Sequence, residues 1–136
     1  MIRGTCLCGA VAYEAEALSG PMVHCHCRTC QKAHSAAFAT TARVKRDAFR
    51  WVKGDGALAA YESTPGKLRH FCPHCGSHLA AEWVGAQEVI LRIGCVEEGV
   101  NAQPVAHIWV SHTAPWDTTG DDLPRHSEAL GSPTVA

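Results

Sequence analysis

Seven of the eight cysteines in this 136-residue chain fall into three tight groups: Cys6 and Cys8, then Cys25, Cys27 and Cys30, then Cys72 and Cys75. No other feature constrains the fold as strongly. C-x-C and C-x2-C pairs lie too close in sequence to bridge comfortably to one another, whereas both spacings suit tetrahedral zinc. A closed structural zinc takes four protein ligands, and a site kept for chemistry usually takes three. Seven divides as four plus three. The arithmetic predicts reduced cysteines and two zinc sites, one that holds the fold and one that accepts something from solution.

Cys72-Pro-His-Cys75-Gly76 has the form of a zinc knuckle, two thiolates on a tight turn followed by a permissive glycine. Its simplest partner is Cys6-Leu-Cys8-Gly9, which also ends in glycine. Joining the two closes a long loop, so this metal contributes to folding. Cys25-His-Cys27-Arg-Thr-Cys30 differs in kind, with three thiolates within six residues and no fourth cysteine nearby. That leaves a position for water or a substrate sulfur, and soft thiolates suit both zinc and a thiol guest. Zinc on three thiolates carries a formal charge of about −1, so neighbouring cations would help; Arg28, Lys32, His24, His26 and His34 are available in sequence. One of those histidines completing a closed Cys3His site is the alternative, with both metals structural. From spacing alone the pairing stays open.

Lys plus Arg (12) nearly balance Asp plus Glu (13), which gives no footprint for nucleic acid and no polybasic membrane signal. No window approaches the roughly 18 apolar residues of a membrane span, and the N-terminus has no long apolar stretch after Arg3. The expectation is a soluble, cytoplasmic chain. Its length suits one domain over residues 1–130, with the small and polar residues 131–136 as a frayed tail.

Short alternating segments dominate. Strands are expected around Tyr13, at residues 23–24, from Ala36, Phe49, Leu58, Lys67, His78 and Glu88, and at AHIWV from Ala106. Turn residues separate them, as in Ser19-Gly20-Pro21 and Thr64-Pro65-Gly66. Only a short helical turn after Cys27 is expected, carrying Cys30, Gln31 and Lys32. Cys95, in ILRIGCV, reads as a buried residue of an apolar strand. The tryptophans Trp51, Trp83, Trp109 and Trp116 read as packing, one or two of them as pocket wall.

Taken together, GTCLCGAVAYEAEA, CHCRTCQKAHSAAFAT, HFCPHCGSHLA and PVAHIWVSHTAPWD with DDLPRH resemble the glutathione-dependent formaldehyde-activating (GFA) family, which also takes in centromere protein V-like domains. The likeness spans residues 3–126. It implies a mainly β fold, a β-tent of antiparallel sheets stapled by zinc and similar to methionine sulfoxide reductase B. It also implies a structural zinc on Cys6, Cys8, Cys72 and Cys75, and a second, catalytic zinc on Cys25, Cys27 and Cys30. One departure is His34, within Gln31-Lys32-Ala33-His34-Ser35-Ala36, where family members often carry a glycine.

The activity implied is that of a carbon-sulfur lyase joining formaldehyde and glutathione into S-hydroxymethylglutathione, or acting on a related adduct. Arg28, Lys32 and Arg43 are the candidates for holding the carboxylates of glutathione. The rival from another class is a non-catalytic double-zinc β module that binds a thiol or a partner protein. A redox rival would need a nucleophilic cysteine outside the clusters, and only Cys95 is left.

Overall fold

The computed structural model describes residues 1–136, and its regular elements are short strands joined by turns. In chain order they are β1 (Ile2–Thr5), β2 (Ala12–Ala15), β3 (Met22–Cys25), α1 (Arg28–His34), β4 (Ala39–Lys45), β5 (Phe49–Lys53), β6 (Ala59–Thr64), β7 (Lys67–Phe71), β8 (His78–Trp83), β9 (Glu88–Arg92), β10 (Val96–Glu98) and β11 (Pro104–Ile108). The protein is mainly β with antiparallel sheets, as the alternating segments predict. No helix is long and apolar enough to cross a membrane. By contacts the chain forms two compact units, one from Met1–Gly20 with Ala42–Asn101, the other from Pro21–Thr41 with Ala102–Ala136.

In the first unit, β10, β1, β2 and β5 lie side by side, each pair antiparallel. Gly4 stands opposite Tyr13, and a side chain at Gly4 would collide with the Tyr13 ring. The glycine therefore makes room for an aromatic that is itself fully buried, 5.4 Å from Phe49 and 6.0 Å from Trp51 by ring centroids. Strands β9, β8, β7 and β6 follow one another in a second antiparallel array. Ile2, Val11, Tyr13, Val44, Leu79, Val89 and Leu91 form the core, and Cys6 and Cys72 are buried within it. Each such aliphatic side chain contributes about 1.5–3 kcal/mol on burial. One half of the first cysteine set is thus rooted in the hydrophobic core.

In the second unit, β3 pairs in parallel with β11 and antiparallel with residues Ala39, Thr40 and Thr41 of β4. β3 delivers Cys25, and α1 starts three residues later with Cys27 as its N-cap, the sulfur accepting the Cys30 N–H at 3.3 Å. The helical turn expected after Cys27 is therefore present, closed by Ser35 in the left-handed conformation.

Two sequence expectations need correction. β9 ends at Arg92, and Cys95 sits in a single 3-10 turn (Ile93–Cys95) instead of a strand, half-buried, its thiol donating to the His78 carbonyl at 3.3 Å. Its buried run stops at Arg92, and Gly94 lets the backbone turn. The AHIWV strand likewise begins earlier, at Pro104, and stops at Ile108, because Trp109 adopts φ 57° and ψ 37° and starts a 3-10 turn over Val110–His112.

Candidate functional site

Two turns carry the first cysteine group, and their hydrogen bonds are alike. At one, the Gly9 N–H donates to the Cys6 carbonyl and the Cys6 N–H to Val11; at the other, the Gly76 N–H donates to Cys72 and the Cys72 N–H to Ser77. Gly9 and Gly76 both have φ 78°, a conformation that costs a side-chain-bearing residue about 1 kcal/mol. The Ser77 hydroxyl ties the turns together, accepting the Leu7 N–H at 2.9 Å and lying 3.3 Å from the Cys75 sulfur.

The sulfurs of Cys6, Cys8, Cys72 and Cys75 all lie within 4.8 Å of one another. Cys6 and Cys8 are 3.7 Å apart, and Cys8 and Cys72 are 3.8 Å apart. Four sulfurs at a Zn–S distance of about 2.3 Å form a tetrahedron with edges of about 3.8 Å. These separations fit zinc and are far from a disulfide. The protons are unevenly held: the Ser77 hydroxyl and then the Ser77 and Cys8 backbone N–H groups bring the Cys75 thiol down to about 5. The Ala10 N–H pulls on Cys8 in the same direction, yet burial and its sulfur neighbours carry it up to about 11. A divalent cation replaces such shared protons directly.

The second group is Cys25, Cys27 and Cys30, again with sulfurs within 4.8 Å of one another. No histidine belongs to it. Cys25 and Cys30 are buried, and Cys27 is partly exposed. The Cys25 thiol is pushed far above its ordinary value, first by the sulfurs of Cys27 and Cys30 and then by burial. Three thiolates at this spacing repel one another unless a cation sits among them, which is the chemistry of a zinc-binding set. Cys25, Cys30 and Ala39 form a small apolar cluster with Cys27, Ile108 and Trp109 against it. Trp109 is thus the tryptophan beside the trithiolate; Trp51 packs on the core of the other unit, and Trp116 is exposed.

His26, between two of these cysteines, is not the cation that its position in sequence suggests. Burial first, and then His107, lower it to about 4, so at neutral pH the ring is uncharged. It is fully buried, and its Nε2 lies 2.8 Å from Nδ1 of His107, whose Nε2 is 3.0 Å from both carboxylate oxygens of Asp121. His24 instead uses Nδ1 on the Thr40 hydroxyl at 2.9 Å.

Of the predicted cations, Arg28 and Lys32 are exposed on α1, the helix that bears Cys30. The Arg28 guanidinium donates to Gln31 Oε1 at 3.1 Å, and its backbone N–H donates to His112 Nδ1 at 3.3 Å. Arg43 belongs to the first unit and stands 3.5 Å from Glu88. Sequence reading missed Gln31 as a functional side chain: 4% exposed, it donates from Nε2 to the carbonyls of His26 and His112, each at 2.7 Å. It also missed Ser77 and the His107–Asp121 pair, whose partners are remote in sequence.

Strands on antiparallel sheets with two thiolate clusters define a small β protein built around cysteine metal sites. The profile of a family described as glutathione-dependent formaldehyde-activating enzyme matches residues 1–112, and the chain belongs to that family. A crystal structure of a Rhodobacter sphaeroides protein is similar, with a TM-score of 0.61 and 29% sequence identity over 73% of this chain and 90% of that one. No curated protein matches.

Proposed function

We propose that the chain is a zinc-dependent carbon-sulfur lyase that forms or cleaves S-hydroxymethylglutathione, or a related glutathione adduct, at Cys25, Cys27 and Cys30. The observation that carries this reading is the contrast between a sulfur set of four and a sulfur set of three that no imidazole joins. In this reading Cys6, Cys8, Cys72 and Cys75 hold a structural zinc, and the fold is a zinc-stapled β-tent. Membership of the family supports glutathione and formaldehyde as the reactants, and the place of work in this reading is the cytoplasm, where thiols stay reduced.

Cys25, Cys27 and Cys30 would hold the zinc, which would supply a fourth position and lower the proton affinity of a thiol there. The chain's own residues set the rest. Cys25 and Cys30 are buried, so the partly exposed Cys27 marks the side from which a guest arrives. Arg28, steadied by Gln31, and Lys32 offer cations for the guest's carboxylates. Arg43, 3.5 Å from Glu88, is the third cation of this reading. In the addition, the glutathione S–H bond breaks, sulfur bonds to the carbonyl carbon, and the carbonyl oxygen takes up a proton to become the adduct's hydroxyl. Cleavage is the reverse. Formaldehyde adds to free thiols unaided, so the gain comes from positioning two small reactants.

Exchange spectroscopy on an equilibrium mixture of formaldehyde, glutathione and their adduct tests this. The zinc-loaded protein is expected to raise the exchange rate above the uncatalysed background, and Cys27→Ser to return it there while circular dichroism stays unchanged. A loaded protein that binds glutathione yet leaves the exchange rate at background would instead be a thiol-binding module.

A further inference from the structure

His26 is pinned at each of its polar groups but one. Its N–H donates to the Ile108 carbonyl at 2.9 Å, its carbonyl accepts from Gln31 Nε2 at 2.7 Å, and its ring meets His107 at 2.8 Å. The Asp121 carboxylate accepts, so His107 donates to it from Nε2, and one further proton lies in the contact between His107 Nδ1 and His26 Nε2. His26 Nδ1 is buried without a hydrogen-bond partner, 3.8 Å from Asp117. His107 is anchored in turn, its N–H on the Pro124 carbonyl and its own carbonyl on the His126 N–H, both at 2.8 Å.

We propose that Asp121, His107 and Gln31 are positioning residues that act through His26 to fix the Cys25-His26-Cys27 bend, so that the three sulfurs converge before an ion arrives. The inference rests on the reading of this trio as a metal site. A C-x-C bend has one residue between its two donors, and that residue's φ and ψ decide whether the donors converge. Here both peptide groups of the residue and its ring are held. Ordering these groups in advance removes a cost that the ion would otherwise bear on binding, and partners behind a ligand typically change metal affinity by 10–100-fold. Asp121 lies beyond residues 1–112, the span that the family profile matches.

Cadmium affinity of the full-length protein, measured for each sulfur set by competition with a chelator, tests the proposal. Asp121→Ala and His107→Phe are expected to weaken the trithiolate at least about tenfold while the four-sulfur set keeps its affinity. Asp121→Asn, whose amide oxygen still accepts from His107, is expected to stay within a few-fold of wild type. Imidazole nitrogen NMR supplies the readout that general destabilisation would not move: a hydrogen bond between His26 Nε2 and His107 Nδ1 in wild type and Asp121→Asn, and none at His26 Nε2 in His107→Phe. If the Phe variant does not fold, Asp121→Ala, a change at a surface carboxylate, decides alone. Equal weakening at both sulfur sets, unchanged affinity in Asp121→Ala, or no hydrogen bond between the His26 and His107 rings in wild type would overturn the proposal. A wild-type protein that takes only one cadmium would overturn the metal reading itself, and the positioning role with it.

Discussion

Tyr13 carries its hydroxyl into the core without a hydrogen-bond partner, which makes it an informative single residue. Burial pushes the phenol well above its ordinary value, so it stays protonated across the working range. An unpaired buried polar group costs about 1–3 kcal/mol. Tyr13→Phe keeps the contacts with Phe49 and Trp51 and removes the hydroxyl, so thermal unfolding should move to equal or higher temperature. A fall of several degrees would show that the hydroxyl has a partner. Asp121 gives a second test at this scale. The hydrogen bond from His107, and then the Leu123 N–H, hold its carboxyl below the usual carboxylate range. A depressed folded value means that the unfolded state binds the proton more readily. The contribution is complete above the ordinary value of about 3.9 and is lost as pH falls through the folded value. Melting temperature followed down from about pH 5 should drop more steeply for wild type than for Asp121→Asn. Parallel curves would count against the Asp121–His107 bond.

Among the elements, the turns were the most legible part of the chain. Gly9 and Gly76 follow their cysteine pairs because the backbone there turns left-handed, and Gly76→Ala should lower stability by about 1 kcal/mol and weaken the four-sulfur set. An unchanged melting curve with unchanged cadmium affinity would refute the strained turn. The strands around Tyr13 and from Phe49 could be read from alternation, and those from His78 and Glu88 from short apolar runs, which are buried on both faces at Leu79, Ala80 and Ala81 and at Val89, Ile90 and Leu91. β1 and β10 could not. β1 holds Gly4, a residue that argues against a strand until the Tyr13 ring is known to lie over it, and β10 is three residues with two glutamates. Their pairing depends on contacts such as Arg3 with Glu98, 95 residues apart, which no local pattern encodes. Trp109 was legible as an aromatic but not as a left-handed turn, since tryptophan has no intrinsic preference for φ 57°.

For the whole molecule, the division of seven sulfurs into four and three could be read from sequence because ligand spacing is local and zinc geometry is strict. The frame behind the trithiolate could not, because His26 and His107 lie 81 residues apart. The two sulfur sets should respond differently to metal removal. The first is rooted in the core with Cys6 and Cys72, so stripping its ion should lower the melting temperature sharply, whereas stripping the second should cost less. The claim on which the functional reading stands is that the trithiolate keeps one coordination position for a thiol. Cadmium-113 NMR of the doubly loaded protein tests it most directly. Two resonances are expected, and glutathione should move only the one assigned to Cys25, Cys27 and Cys30, toward the four-sulfur position. If that resonance starts at the four-sulfur position or stays put at saturating glutathione, the site is closed and the account is contradicted.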